Sequence, residues 1–244
     1  MRTQPDFRIP LQALNNTTAG AREENGHIDL IEDDFGDDHI SSAVETPMRD
    51  DAFALNDEAK IELIEYHFKK IMHVLGLDLT DDSLKGTPRR VAKMYVQEVF
   101  QGLNPKNKPS VTLFENRYHY NRMLVEKNIT LYTYCEHHFV PIFGKVHVGY
   151  IPAGQVIGLS KINRIVQYFA KRPQVQERLT VQIADELRRI LNTEDVAVVI
   201  DAAHLCVSSR GVQDTGSTTT TSSFLGRFHD EGVRNEFLRY IEIK

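Results

Sequence analysis

The sequence predicts an α+β fold built on an antiparallel sheet. Two observations carry this. The apolar period is three to four residues over 61–75 and 91–99, then becomes strand-like over 111–115, 123–134 and 143–151, where Val, Ile, Thr and Tyr dominate. Helical periods then return and strands follow, so helices and strands segregate in blocks instead of alternating.

The elements follow in order. Ile61, Ile64, Phe68, Ile71 and Leu75 share one helix face, and Gly76 stops that helix. Thr87 and Pro88 read as a cap followed by a first-turn proline, opening a second helix with Val91, Met94, Tyr95 and Val99 before Gly102. After the three strands, Ser160 is expected to cap a helix carrying Ile162, Ile165, Val166 and Phe169. Val175, Leu179, Ile183, Leu187 and Leu191 define the next helix. A strand is expected over 196–203, another over the Thr-rich 217–221, and a short terminal helix over 232–241. No internal repeat is present.

Charge divides the chain. Residues 1–51 hold twelve acids and four arginines, a formal −8 against −5 for all 244 residues, which leaves +3 for residues 52–244. The acidic stretch has few apolar positions and is expected to be a disordered extension. Residues 52–110 then read as a helical region and 111–244 as the catalytic body. A slightly basic body suits a small anionic ligand better than a nucleic acid, which calls for a concentrated basic face. No signal peptide opens the chain and no apolar run reaches a membrane span, so a cytosolic protein without membrane contact is expected. In that compartment Cys135 and Cys206 are expected to be free core thiols, catalytic groups or metal ligands, not a disulfide.

Three constellations carry chemistry. In Cys135-Glu136-His137-His138, Cys135 and His138 can reach one ion from one turn. His204-Leu205-Cys206 adds a second Cys beside a His, and at a strand end His204 and Cys206 would project to the same side. Cys135, His138 and Cys206 would give two sulfurs and a nitrogen, a set that suits zinc and leaves a fourth position open. His137 and His204 would then be unliganded imidazoles suited to proton transfer near neutral pH. A closed structural site using His137 or His204 as fourth ligand is the alternative. Gly158-Leu159-Ser160-Lys161-Ile162-Asn163-Arg164 places a hydroxyl, Lys161 and Arg164 at a helix start, which favours phosphate; an ordinary capped helix is the plainer reading. Gln176-Glu177 sets an amide beside a carboxylate able to accept from guanine N1–H and its 2-amino group, with a charged helix entry as the plainer reading. Arg210 adds a cation close after Cys206.

These stretches, with Gln174-Val175-Gln176-Glu177-Arg178-Leu179-Thr180 and Arg210-Gly211-Val212, resemble the signature motifs of the GTP cyclohydrolase I family in order and spacing, over about residues 55–244. The resemblance implies a tunnelling fold, with antiparallel strands and paired helices whose sheets close a barrel on oligomerisation. It implies a homodecamer of two stacked pentamers with sites at subunit boundaries. It implies one zinc per subunit on Cys135, His138 and Cys206. Ser160, Lys161, Arg164 and Arg210 map onto ribose and triphosphate positions, Gln176 and Glu177 onto guanine recognition, and Glu136 joins the substrate-contacting set. His137 and His204 map onto catalytic histidines, assisted by Ser160. Ser208, Ser209 and Gln213 stand where many relatives carry Met, Lys or Arg. The implied reaction opens the guanine imidazole ring of GTP, releases formate and yields 7,8-dihydroneopterin triphosphate.

Three rival readings fit parts of this pattern. Pterin synthases and nitrile reductases of the same fold would use another metal set or a cysteine nucleophile. A zinc deaminase would need a His-x-Glu and Pro-Cys-x-x-Cys signature, which is absent. A non-catalytic nucleotide sensor would not need His137, His138 and His204.

Overall fold

The structure of the chain, a computed structural model, describes residues 43–242. Helix α1 (Asp57–Val74) begins where the Asn56 side chain accepts from Ala59 N at 2.9 Å, with Asp57 and Glu58 in the positive first turn. Gly76 ends it with φ +81°, a left-handed conformation that glycine takes without strain. Helix α2 (Thr87–Lys93) differs from expectation at its start: Thr87 is already helical, and the cap position is Gly86, with no side-chain bond. The helix continues as a π-helical turn over Met94–Val99.

The main sheet contains β2 (Leu124–Cys135), β3 (Pro141–Tyr150), β6 (Val196–His204) and β7 (Thr219–Phe224), joined antiparallel in that order. A two-residue strand, β5 (Pro173–Gln174), lies parallel on the outer side of β2. The sheet is therefore mixed at one edge and antiparallel elsewhere. Strands β1 (Leu113–Glu115) and β4 (Gln155–Ile157) form a separate two-stranded ladder.

Alternation along β6 shows how the sheet is covered. Val196, Val198 and Ile200 join the core under helices α3 (Leu159–Ala170) and α4 (Gln176–Leu191), with Leu179, Ile183 and Leu187 buried opposite. Ala197 and Val199 face the other way, into a smaller core with Phe228 and with Phe237 of α6 (Glu231–Glu242). Beyond α6 this second face stays open. Tyr132 and Phe143 stack there at 6.5 Å between ring centroids and remain 63% and 42% exposed.

Helix α3 runs alongside β2 in the same direction. Asn163 donates to Glu126 Oε1 at 3.2 Å, Gln167 to Thr130 O at 2.6 Å, and Thr133 Oγ1 to Arg172 O at 3.4 Å. Ser160 does not cap this helix: the cap residue is Gly158, again without a side-chain bond. The helical region is tied to the end of α3, where Gly102 N donates to Lys171 O and Arg172 Nε donates to Gly102 O, each at 2.9 Å.

The expected extension over 1–51 falls mostly outside the described residues. Its last part, 43–51, is described and meets α4: Ala43 O accepts from Arg178 at 3.4 Å, and Glu45 Oε2 accepts from Gln182 at 2.8 Å. Among the described residues no helix is long and apolar enough to cross a membrane.

Candidate metal centre

One end of the sheet collects most of the singled-out residues. Strand β2 ends there at Cys135, β3 starts at Pro141, and β6 ends at His204, paired with Ile142. The turn between β2 and β3 is closed by Cys135 N to Val140 O and Phe139 N to Cys135 O, both 2.9 Å. Phe139 takes φ +52° in that turn, and its ring packs 5.0 Å from Phe100. That anchored, left-handed residue sets how His138, one position earlier, leaves the turn.

Cys206 does not follow His204 along a strand. It sits in a short helix, α5 (Leu205–Ser208), that begins as β6 ends. The expected same-side projection therefore fails, yet the helical turn still carries the thiol to the cluster. The ligand atoms of Cys135, His138 and Cys206 all lie within 4.8 Å of one another. Two sulfurs of a tetrahedral zinc site stand about 3.8 Å apart at Zn–S bonds near 2.3 Å, so this set fits a metal ion after small side-chain adjustment. Burial raises the Cys206 pKa, and the neighbouring Cys135 raises it further. A bound cation would reverse that balance, since metal ligation requires thiolate.

Further polar groups contact these residues or their neighbours. His137 Nδ1 lies 3.5 Å from Cys135 Sγ, and Arg210 reaches His138 Nε2 at 3.1 Å. His204 Nε2 lies 2.8 Å from Gln176 Oε1. Burial holds the His204 pKa below the ordinary imidazole value, opposed by the nearby Glu177 carboxylate. Glu177, in the first turn of α4, is exposed in the chain and has no ion-pair partner among the described residues.

Two expected substrate contacts are engaged within the protein. Gln176 is 2% exposed, and its amide nitrogen donates to Ile200 O at 3.2 Å, Thr219 O at 2.8 Å and Thr221 Oγ1 at 3.1 Å. Glu136 forms a short ion pair with Arg178, whose side chain is 4% exposed. Arg178 also donates from Nε to Gln174 Oε1 and from a terminal nitrogen to Pro173 O, both at 3.0 Å. Arg178 is not among the residues the motifs single out. In sequence the i, i+4 row Arg178, Gln182 and Glu186 reads as a solvated helix face beside the apolar row Leu179, Ile183 and Leu187, and the fold buries it.

Ser160 and Lys161 stand apart. They open α3, whose first turns lie beside Glu126 near the start of β2. Nine residues of strand separate Glu126 from Cys135, on the order of 30 Å at 3.3 Å per residue. Arg164 is exposed one turn further along and lines a cleft of about 270 Å³ with Gln167 and Lys171. One chain therefore does not bring Ser160 and Lys161 to the metal cluster.

Residues 64–242 match the family model described as GTP cyclohydrolase I. The chain is 59% identical over 211 residues to the GTP cyclohydrolase 1 of Flavobacterium johnsoniae, covering 86% of this chain and 95% of that protein. It is 52% identical over 203 residues to the GTP cyclohydrolase 1 of Escherichia coli O9:H4, covering 83% of this chain and 91% of that one.

Proposed function

The chain belongs to the GTP cyclohydrolase I family, and on that premise we propose that it hydrolyses the guanine imidazole ring of GTP in the cytosol with one zinc ion per subunit. The observation that carries this reading is the convergence of Cys135, His138 and Cys206 at one end of the sheet, with His137 in contact with Cys135 and His204 two residues before Cys206. Two thiolates and an imidazole select zinc over harder cations. A zinc ion held there supplies Lewis-acid polarisation and activates water near neutral pH.

The chain's own groups do the rest. Glu177 accepts from guanine N1–H and the 2-amino group, fixing C8 toward the cluster. His204 delivers a proton to N7 as water adds to C8, so the C8–N9 bond breaks. A second water releases C8 as formate by cleaving its bond to N7. The opened ribose rearranges and closes onto the freed amine with loss of water, giving 7,8-dihydroneopterin triphosphate. His137 assists these proton transfers. Arg210 holds the triphosphate beside the cluster.

Ser160, Lys161 and Arg164 join this site from another subunit. Their distance from Cys135 within one chain, the exposure of Glu177 and the open, aromatic face at Tyr132 and Phe143 all support an assembly that completes the site. The assembly is a decamer of two pentameric rings whose sheets close a barrel. The test is direct: the purified zinc protein incubated with GTP should release formate and produce a fluorescent pterin after oxidation. No formate from GTP would refute the function, and a monomer in sedimentation analysis with full activity would refute the shared site.

A further inference from the structure

Resting on that reading, we propose that Gln176 is a positioning residue that fixes the tautomer and ring orientation of His204. The Gln176 side-chain terminus facing Ile200 O and Thr219 O meets two carbonyl oxygens, at 3.2 and 2.8 Å. Carbonyls only accept, so that terminus must be the NH2 group. The surroundings thus decide the amide orientation, which is otherwise easily inverted.

The other end of the amide then has no freedom. Oε1 can only accept, and it lies 2.8 Å from His204 Nε2. His204 must therefore carry a hydrogen on Nε2. A neutral imidazole holds one ring hydrogen, so Nδ1 is the bare nitrogen and an acceptor.

The network behind the amide is rigid. Gln176 is buried at the first turn of α4, and Thr221 Oγ1 lies 3.1 Å from its nitrogen and 2.7 Å from Thr180 Oγ1. Thr180 Oγ1 donates in turn to Gln176 O at 2.8 Å. The same amide joins α4 to β6 and β7, so the ring orientation of His204 is set by packed elements and not by a loop. The amide hydrogens are used within the protein, so the Gln176 side chain has no N–H left to offer a guanine base.

The test uses the full-length zinc enzyme. Its ten histidines are labelled with 15N in the ring, and His204 is identified by its loss in His204→Gln. At pH 8 the wild-type His204 should show the Nε2–H form; a hydrogen on Nδ1 overturns the proposal. This measurement needs no Gln176 variant, so it stands even where substitution impairs folding. In Gln176→Leu, kcat should fall about 10²- to 10⁴-fold, the range that a positioned acid–base group contributes. The GTP dissociation constant should stay within a factor of about 2, because the substitution removes no ground-state substrate contact. A weakened GTP affinity with kcat retained returns Gln176 to base reading. In a His204→Ala background, Gln176→Leu should add no further loss, and an additive loss refutes action through His204. A wild-type enzyme that leaves GTP intact would defeat the function and leave the tautomer result to be judged separately.

Discussion

Replacing Arg178 by Met should damage the protein through Glu136, and the size of the effect follows from burial. The Arg178 side chain is 4% exposed and that of Glu136 20%. The guanidinium also satisfies Gln174 Oε1 and Pro173 O, and Glu136 N donates to Gln174 O at 3.0 Å. Arg178→Met leaves the Glu136 carboxylate without a cation directly beside Cys135. Removing one partner of a buried pair costs about 3–5 kcal/mol, and the partial exposure of Glu136 argues for the lower end, about 3. For a body of this size each kcal/mol moves Tm by about 2–4 °C, so a fall of roughly 6–12 °C is expected. Glu136→Gln keeps an acceptor for Arg178, which retains its other partners, and should cost less, about 1–3 kcal/mol. The assay is thermal and denaturant unfolding of the wild type, both single variants and the double variant, at one protein concentration and with zinc content recorded. The double variant should lose less than the sum of the singles. A Tm within 2 °C of wild type for Arg178→Met, or a Glu136→Gln variant that loses GTP affinity without losing stability, would refute this account and return Glu136 to substrate contact.

Four further outcomes are expected. Cys206→Ala should lose zinc and turnover together, and full zinc retention by metal analysis would remove Cys206 from the ligand set. Glu177→Gln should weaken GTP binding at least tenfold with normal zinc, because one acceptor facing guanine donors becomes a donor; equilibrium titration showing unchanged affinity would remove Glu177 from base reading. A chain beginning at Ala43 should turn over normally, whereas one beginning at Ala52 should be destabilised by about 1–2 kcal/mol through loss of the Ala43 and Glu45 contacts to α4, and equal stability of the two would show those contacts to be idle. Burial lowers the pKa of His147, with Asp201 opposing and Lys127 and Lys145 reinforcing, so below about pH 6.5 the unfolded chain binds a proton that the folded chain resists. Stability should therefore decline as pH falls from about 6.5, and His147→Gln should flatten that part of the denaturation profile; an unchanged slope would refute it.

The long elements were legible because their periods are strong. Ile61 to Leu75, Leu179 to Leu191 and the alternation in β6 each bury one face, and burial enforces the pattern that sequence displays. The misses have physical causes. Strands β4 and β5 span three and two residues, too few to show any period. Ser160 is a good cap residue by type, but the chain turns into α3 one residue earlier, at Leu159, with Gly158 as the cap. Cys206 left the strand because β6 passes directly into α5, a change that two-residue spacing cannot reveal. Arg178, Gln182 and Glu186 look like a solvated helix face, and became buried because Glu136, residues 43–45 and Lys108 cover them.

The residues of the candidate site were legible as types, and their division in space was not. Motif order brings Ser160-Lys161 to within 16 residues of Gln176-Glu177, which suggests one continuous pocket. The fold separates them because α3 starts beside the beginning of β2 and runs alongside it toward Cys135, so Ser160 and Lys161 stay behind while β5 and the start of α4 follow at the end that holds Cys135. Phosphate-type residues at one end and base-type residues at the other cannot grip one nucleotide in a single chain. The charges agree with this division. Glu177 is an exposed carboxylate, and in water it would discriminate between guanine and adenine weakly, since solvent satisfies whichever group the base leaves unpaired. Strong base selection needs a desolvated carboxylate. In the proposed assembly, a second subunit that brings Ser160, Lys161 and Arg164 to the Cys135, His138 and Cys206 cluster would exclude that water as it supplies the phosphate contacts, so base selection and triphosphate binding would arise from the same interface.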